Sequence, residues 1–292
     1  MLLLRRLPFA LLLIAANLVF ARSAMSQNTP EQALPGQALA GQALTVDAVL
    51  ARVRANVAAY TASIPNVICE ESVDSRRTGG GKVKDEMKIE SSFSIVRSGD
   101  GKNLRETRVK NLVNGSKPKN QKVSPPYAFS GGIANVIEIV DDKCSSFAFA
   151  RDGHTAGDAP IVIVATPRAA SQDLSAACAR ELKQSFRAKL VIDPQSFQVH
   201  HLECSMQDIS FGLASHVPFV PLPSTHNDLA FAVDFAPTSL GGKTFWLSQT
   251  VTSTVTDKNK PITLEYEAHY TNYHRFAATT TVLPDVTEVS NP

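Results

Sequence analysis

Residues 262–273 read ITLEYEAHYTNY. Ile262, Leu264, Tyr266, Ala268 and Tyr270 fall on one side of an extended chain, and Thr263, Glu265, Glu267 and His269 fall on the other. Neighbouring side chains of a strand point to opposite faces, so this period of two predicts a long strand with one buried and one wet face. The pattern recurs upstream. Leu229, Phe231, Val233 and Phe235 alternate with Ala230, Ala232, Asp234 and Ala236. Phe186, Ala188, Leu190 and Ile192 alternate with Arg187, Lys189, Val191 and Asp193. Met87, Ile89, Phe93 and Ile95 alternate with Lys88, Glu90, Ser92 and Ser94. Residues 67–75, 103–113, 145–150, 159–166, 197–206 and 244–256 complete the predicted strands.

The connections decide how these strands pair. Asp193-Pro194-Gln195-Ser196 has the residue types of a type I turn. Residues 78–82 (TGGGK), Gly99-Asp100-Gly101 and residues 257–261 are equally short. A parallel sheet needs a crossover between neighbouring strands, and turns of this length allow only antiparallel pairing. Residues 114–127 and 212–228 read as loops, and the alanine-rich residues 168–182 as helix or loop.

One helix stands out. Val46, Val49, Val53, Val57, Tyr60 and Ile64 recur at three- and four-residue steps, predicting an amphipathic helix over 46–62. Thr45 caps its start, Asp47 suits its first turn, and Pro65 stops it. A second, short helix opens at Ser130-Gly131-Gly132 and runs through Ile139, with Ile133, Val136, Ile137 and Val140 as its apolar residues. The predicted fold class is mainly β (α+β). A large curved antiparallel sheet of eight to ten strands wraps the N-terminal helix and the second short helix, in a half-barrel-like arrangement.

The chain has 292 residues, 43% hydrophobic and 19% charged, which excludes a disordered or fibrous chain. Residues 1–26 read as an export signal. Arg5 and Arg6 precede an apolar run from Leu7 to Phe20, and Ala24 and Ser26 fit a cleavage site before Gln27. That run is shorter than the roughly 20 residues that span a bilayer. Without Arg5, Arg6 and Arg22, 26 of the 29 basic residues remain against 27 acidic ones, a net charge near −1. No basic excess points to nucleic acid. Residues 27–43 form a lead-in rich in Pro, Gly, Gln and Ala, residues 44–276 a single domain, and residues 277–292 a tail. The expected location is the periplasm or the exterior of the cell.

Four cysteines in an exported chain allow two disulfides and three pairings. Cys144 with Cys178, and Cys69 with Cys204, is the pairing expected first. No C-x-x-C occurs, and the cysteine spacings do not match a compact zinc site.

The search for chemistry finds fragments. His201 and Glu203 share a strand face beside His200, with His216 and His226 elsewhere, but no fixed spacing supplies a third metal ligand. No G-x-S-x-G elbow is present; His154 with Asp158, and His269 beside Glu265 or Glu267, are pairs without a placed nucleophile. Gly79-Gly80-Gly81-Lys82 lacks the rest of a phosphate loop, and Asn114-Gly115-Ser116 is an acceptor motif made uninformative by the expected bacterial envelope setting. Trp246 lies between Phe245 and Leu247, and Tyr270, Tyr273, His274, Arg275 and Phe276 form an aromatic-basic run. The expectation is no catalytic residue, no metal, no cofactor and no enzyme.

The order of elements resembles the half-barrel of outer-membrane lipoprotein carriers such as LolA. The shared features are a helix before the first strand, the hairpin from Lys189 to Glu203 with its Asp-Pro turn, and the long closing strands. The chain is also similar to uncharacterised exported proteins of the Acidobacteria type. They share Ser63-Ile64-Pro65-Asn66 with Cys69 and Glu71, Leu240-Gly241-Gly242 with Phe245-Trp246-Leu247, and the segment from Tyr270 to Phe276. The first resemblance implies an apolar cavity between sheet and helices that holds a lipid or acyl chain. Phe93, Ile95, Phe231, Val233, Phe235, Leu264 and Tyr266 would line it, and Val49, Val53 and Val57 would close it. The same residues also suit a packed core. The alternative function is a non-enzymatic scaffold, interaction or stress-sensing module that meets another envelope protein.

Overall fold

The computed structural model describes residues 44–97, 104–129, 133–150, 158–168, 185–209 and 226–276. The expected signal, lead-in and tail, the turn at 99–101, most of 168–182 and of the loop at 212–228, and Cys178, His154 and His216 lie outside the described residues.

Ten strands form one antiparallel sheet. They are β1 (Val67–Gly79), β2 (Lys82–Arg97), β3 (Leu104–Val113), β4 (Ser145–Phe149), β5 (Ile161–Pro167), β6 (Ser185–Ile192), β7 (Val199–Ile209), β8 (Asn227–Leu240), β9 (Lys243–Asp257) and β10 (Ile262–Arg275). Their order is β3-β2-β1-β10-β9-β8-β7-β6-β5-β4. Two meanders are thus joined where the first long strand pairs with the last. The sheet is curved and not closed into a barrel: β3 and β4 are its free edges. The turns carry the geometry that tight hairpins need. Gly80 and Gly81 between β1 and β2, and Gly241 and Gly242 between β8 and β9, all have positive φ, as type I′ turns require of both central residues.

Helix α1 (Val46–Ser63) is capped by Thr45, whose hydroxyl accepts from the Ala48 amide at 3.2 Å, and it buries Val49, Leu50, Val53 and Val57. Each such side chain contributes about 1.5–3 kcal/mol when removed from water. The β6–β7 turn holds the helix from the side. Asn56 donates to the Ser196 and Phe197 carbonyls at 2.7 and 2.9 Å, and the Arg52 guanidinium lies 4.5 Å from the Phe197 ring centre. Phe197 has a φ of 56°, uncommon for a bulky residue; these contacts from α1 offset its strain.

Helix α2 (Ile133–Val140) lies between the two free edges in chain order. The segment leaving β3 adds no further strand to that edge. It turns over the inner face instead, as a strap that ends in Tyr127 and Phe129. The Tyr127 amide donates to Ser75 Oγ at 3.0 Å, Ser75 Oγ donates to the Tyr127 carbonyl at 2.6 Å, and the Tyr127 hydroxyl meets Ser253 Oγ at 2.9 Å. Phe129 packs on Phe231 and Tyr266. No described helix is long and apolar enough to cross a membrane.

The expected Cys69–Cys204 pairing requires correction, whereas Cys144 is disulfide-bonded. Cys69 and Cys204 are free, buried thiols. Strand order gives the reason. Cys69 is on β1 and Cys204 on β7, four strand steps apart, or roughly 19 Å along the sheet at about 4.8 Å per step. A disulfide needs Cα atoms within about 7 Å. Burial pushes both thiols up to about 12, so neither presents a thiolate at neutral pH. Iodoacetamide at pH 8 should therefore leave Cys69 and Cys204 unmodified in the folded protein and label both in denaturant. Peptide mapping reads the result, and fast native labelling of either residue would contradict its burial.

Candidate functional site

Register across the sheet builds the inner face in rows. One row runs Ala188, Cys204, Phe231, Ser253, Tyr266 and Ser75, from β6 to β1. The next runs Leu190, Leu202, Val233, Val251, Ala268 and Val73. Val49, Val53, Val57, Phe93, Phe231, Val233, Phe235, Leu264 and Tyr266 all belong to one buried cluster, and Ile95 packs against it partly buried. A second, smaller cluster gathers Ile64, Val67, Leu240, Phe245 and Leu247. Trp246, on the opposite side from Phe245 and Leu247, stacks on His200 with ring centres 4.5 Å apart.

A groove of about 620 Å³ opens between α1 and α2. Val57, Ile137 and Val140 give it apolar walls, and Ala58 and Ala62, one turn apart on α1, leave the space. Of the residues named from sequence as cavity lining, Val57 borders this groove. Ala58 and Ala62 lie beside the apolar stripe of α1 and are exposed. Their small size is the signal that sequence reading passed over.

Two arginines border the groove, and both are engaged with helix ends. Arg54 donates from Nε to the last carbonyl of α2, that of Val140, at 2.9 Å and to Asp141 at 3.1 Å. Arg97 Nη2 donates to the carbonyls of Thr61 and Ile64, at 2.8 and 3.0 Å, where α1 ends. The last carbonyls of a helix lack intrahelical partners and carry its negative dipole end. These cations therefore fasten α1 and α2 in place on either side of the groove.

The inner face also holds an ion pair. Arg108 Nε on β3 donates to Glu71 Oε1 on β1 at 2.8 Å, and the Glu71 side chain is only 1% exposed. The guanidinium lies 4.6 Å from the Phe93 ring centre. Burial works against the charge on Arg108, but Glu71 outweighs it and the guanidinium is held charged. Burial, reinforced by Tyr266 and Glu71, raises the Tyr270 phenol beyond its ordinary range, so it stays protonated while it meets the Arg108 guanidinium.

The histidines expected to be bland sit on the outer face. His201 places Nδ1 2.6 Å from Asp234 and Nε2 2.9 Å from Glu203, so both ring nitrogens are occupied. Partial burial of Glu203 is outweighed by hydrogen bonds from His201 and Lys189, which hold its carboxyl below the usual range. His226 Nδ1 lies 2.7 Å from Asp208. His269 lies between Glu267 at 3.0 Å and the Thr250 hydroxyl at 3.4 Å. That hydroxyl contact is longer than a working nucleophile–base bond, and the His269 and Glu267 side chains are each more than half exposed. Among the described residues, no group of three or more His, Cys, Asp or Glu is arranged to hold a metal ion.

No protein-family model matches the chain, and no curated protein matches it. Among solved structures, the fold is similar to that of a DUF1329 family protein from Desulfovibrio piger. That match has 10% identity and a TM-score of 0.38, and covers 80% of this chain and 95% of that one. It is also similar to that of a LolA superfamily protein from Nitrosomonas europaea, at 9% identity and a TM-score of 0.30, covering 83% of this chain and 96% of that one.

Proposed function

We propose that this chain is an exported envelope protein that binds the apolar part of an amphiphile, a lipid or acyl chain, in the groove between α1 and α2. The observation that carries the reading is that groove. Its volume of about 620 Å³ falls within the roughly 300–1,000 Å³ typical of small-molecule sites. Its lining combines Val57, Ile137 and Val140 with the small Ala58 and Ala62 and the polar Thr61 and Asp141, and its two arginines are spent on helix ends. The N-terminal residues 1–26 supply the export reading.

The test is binding of a fluorescent fatty acid to the purified chain. Ala58→Trp places an indole in the groove at an exposed helix position, where folding tolerates it. Its affinity for the probe should fall at least tenfold. Ala59→Trp, exposed but not lining the groove, should bind as the wild type does. A wild-type chain that binds no probe would overturn the reading and favour a module that docks another envelope protein.

A further inference from the structure

The Glu71–Arg108 contact is half of a fork. A guanidinium commonly meets a carboxylate through two parallel hydrogen bonds. Here only Arg108 Nε to Glu71 Oε1 is made, at 2.8 Å. Glu71 Oε2 and Arg108 Nη2 are both buried and have no hydrogen-bond partner. A buried polar atom without a partner is costly, more so when it is charged, so such atoms ask for a ligand or a water.

The two orphans have opposite sense. The carboxylate oxygen accepts and the guanidinium N–H donates. One hydroxyl or one primary amide satisfies both, giving its hydrogen to Oε2 and its oxygen to Nη2. A second carboxylate would set an anion against Glu71. An ammonium would face Arg108 and bring no acceptor. The surroundings suit a neutral group on an apolar stem: Phe93 lies beneath the guanidinium, and Tyr270 and Ser91 flank Glu71 in register. Arg108 remains 30% exposed along the free edge strand β3, the side from which a head group would approach the buried pair.

We infer that Glu71 and Arg108 form a head-group site for an uncharged hydroxyl or amide carried on an apolar chain. The inference rests on the amphiphile reading and names the class of amphiphile, at a place apart from the groove residues themselves, since neither Glu71 nor Arg108 lines the groove. Its test is displacement of an uncharged fluorescent probe, N-phenyl-1-naphthylamine, by four twelve-carbon competitors: dodecanol, dodecanamide, dodecanoate and dodecylamine. In the wild type, the alcohol and amide should compete at least tenfold better than either charged chain. Glu71→Gln keeps the shape and removes the anion, so dodecanoate should gain at least tenfold relative to dodecanamide. If dodecanoate equals or outranks the neutral chains in the wild type, the head-group site is wrong. An unchanged ranking in a folded Glu71→Gln chain sinks it as well. Should that variant fail to fold, the wild-type ranking alone decides. If no competitor and no probe binds, the amphiphile reading falls, and the head-group site with it.

Discussion

Replacing Tyr127 with alanine should destabilise the protein by about 3–5 kcal/mol, the range for deleting a buried aromatic side chain. Tyr127 is 6% exposed, and its ring sits edge-on to Tyr266 with centres 6.4 Å apart. The loss extends beyond the ring. Its hydroxyl is the partner of the buried Ser253 side chain, and its backbone anchors the strap to Ser75. Tyr127→Phe separates the two contributions: it keeps the ring, orphans Ser253, and should cost about 1 kcal/mol. Urea unfolding followed by far-ultraviolet circular dichroism measures both. If the alanine variant unfolds within 1 kcal/mol of the wild type, the strap is a surface loop rather than part of the cooperative core. That result would also mean that the inner face near Phe231 and Tyr266 is only lightly covered.

The strap shows where sequence reading reaches its limit. The strands were legible because a half-buried antiparallel strand must alternate, and Ile262 to Tyr270 or Leu229 to Phe235 do so without interruption. Helix α1 was legible because its stripe repeats at helical spacing and Thr45 and Pro65 bracket it. Tyr127 and Phe129 follow Pro125 and Pro126 in a segment with no period. Their burial depends on where the chain goes after an edge strand, which is a tertiary fact. The Cys69–Cys204 pairing failed for a related reason. An even count says nothing about strand order, and the β1–β10 pairing places β1 four strands from β7. Strand β8 begins at Asn227, inside the stretch read as loop, because the backbone there pairs with Asp257 even though its residues lack an apolar pattern. Of the groove, only Val57 was visible in advance, since an alanine on a helix flank carries no signal until a second helix is seen to stand beside it. Glu71 did leave a trace. It shares the inward phase of Val67, Cys69, Val73 and Ser75 on β1, so strict alternation alone turns it toward the core.

That phase leads to the second large effect. Arg108→Met should destabilise the chain by about 3 kcal/mol. Removing one partner of a buried ion pair typically costs 3–5 kcal/mol, because the other charge remains in a low-dielectric site without compensation. The lower end applies because the Arg108 side chain is itself 30% exposed and solvated in part, whereas the Glu71 side chain is 1% exposed. The size of the loss therefore reports on the carboxylate left behind, and this gives the prediction a sharper form. Glu71→Met with Arg108→Met removes both charges and fills the site with apolar atoms between Phe93 and Tyr270. Buried pairs replaced in this way are often neutral or stabilising, so the double variant should recover most of what Arg108→Met loses. A double-mutant cycle in urea gives the coupling directly. Coupling near zero, with the double variant as unstable as the sum of the two single ones, would mean that the two groups act separately and that water already solvates Glu71. Recovery of stability, together with loss of the preference for dodecanol and dodecanamide over dodecanoate, would mean that the chain retains this pair for recognition rather than for folding. A packed methionine pair folds as well but offers neither an acceptor nor a donor to a ligand.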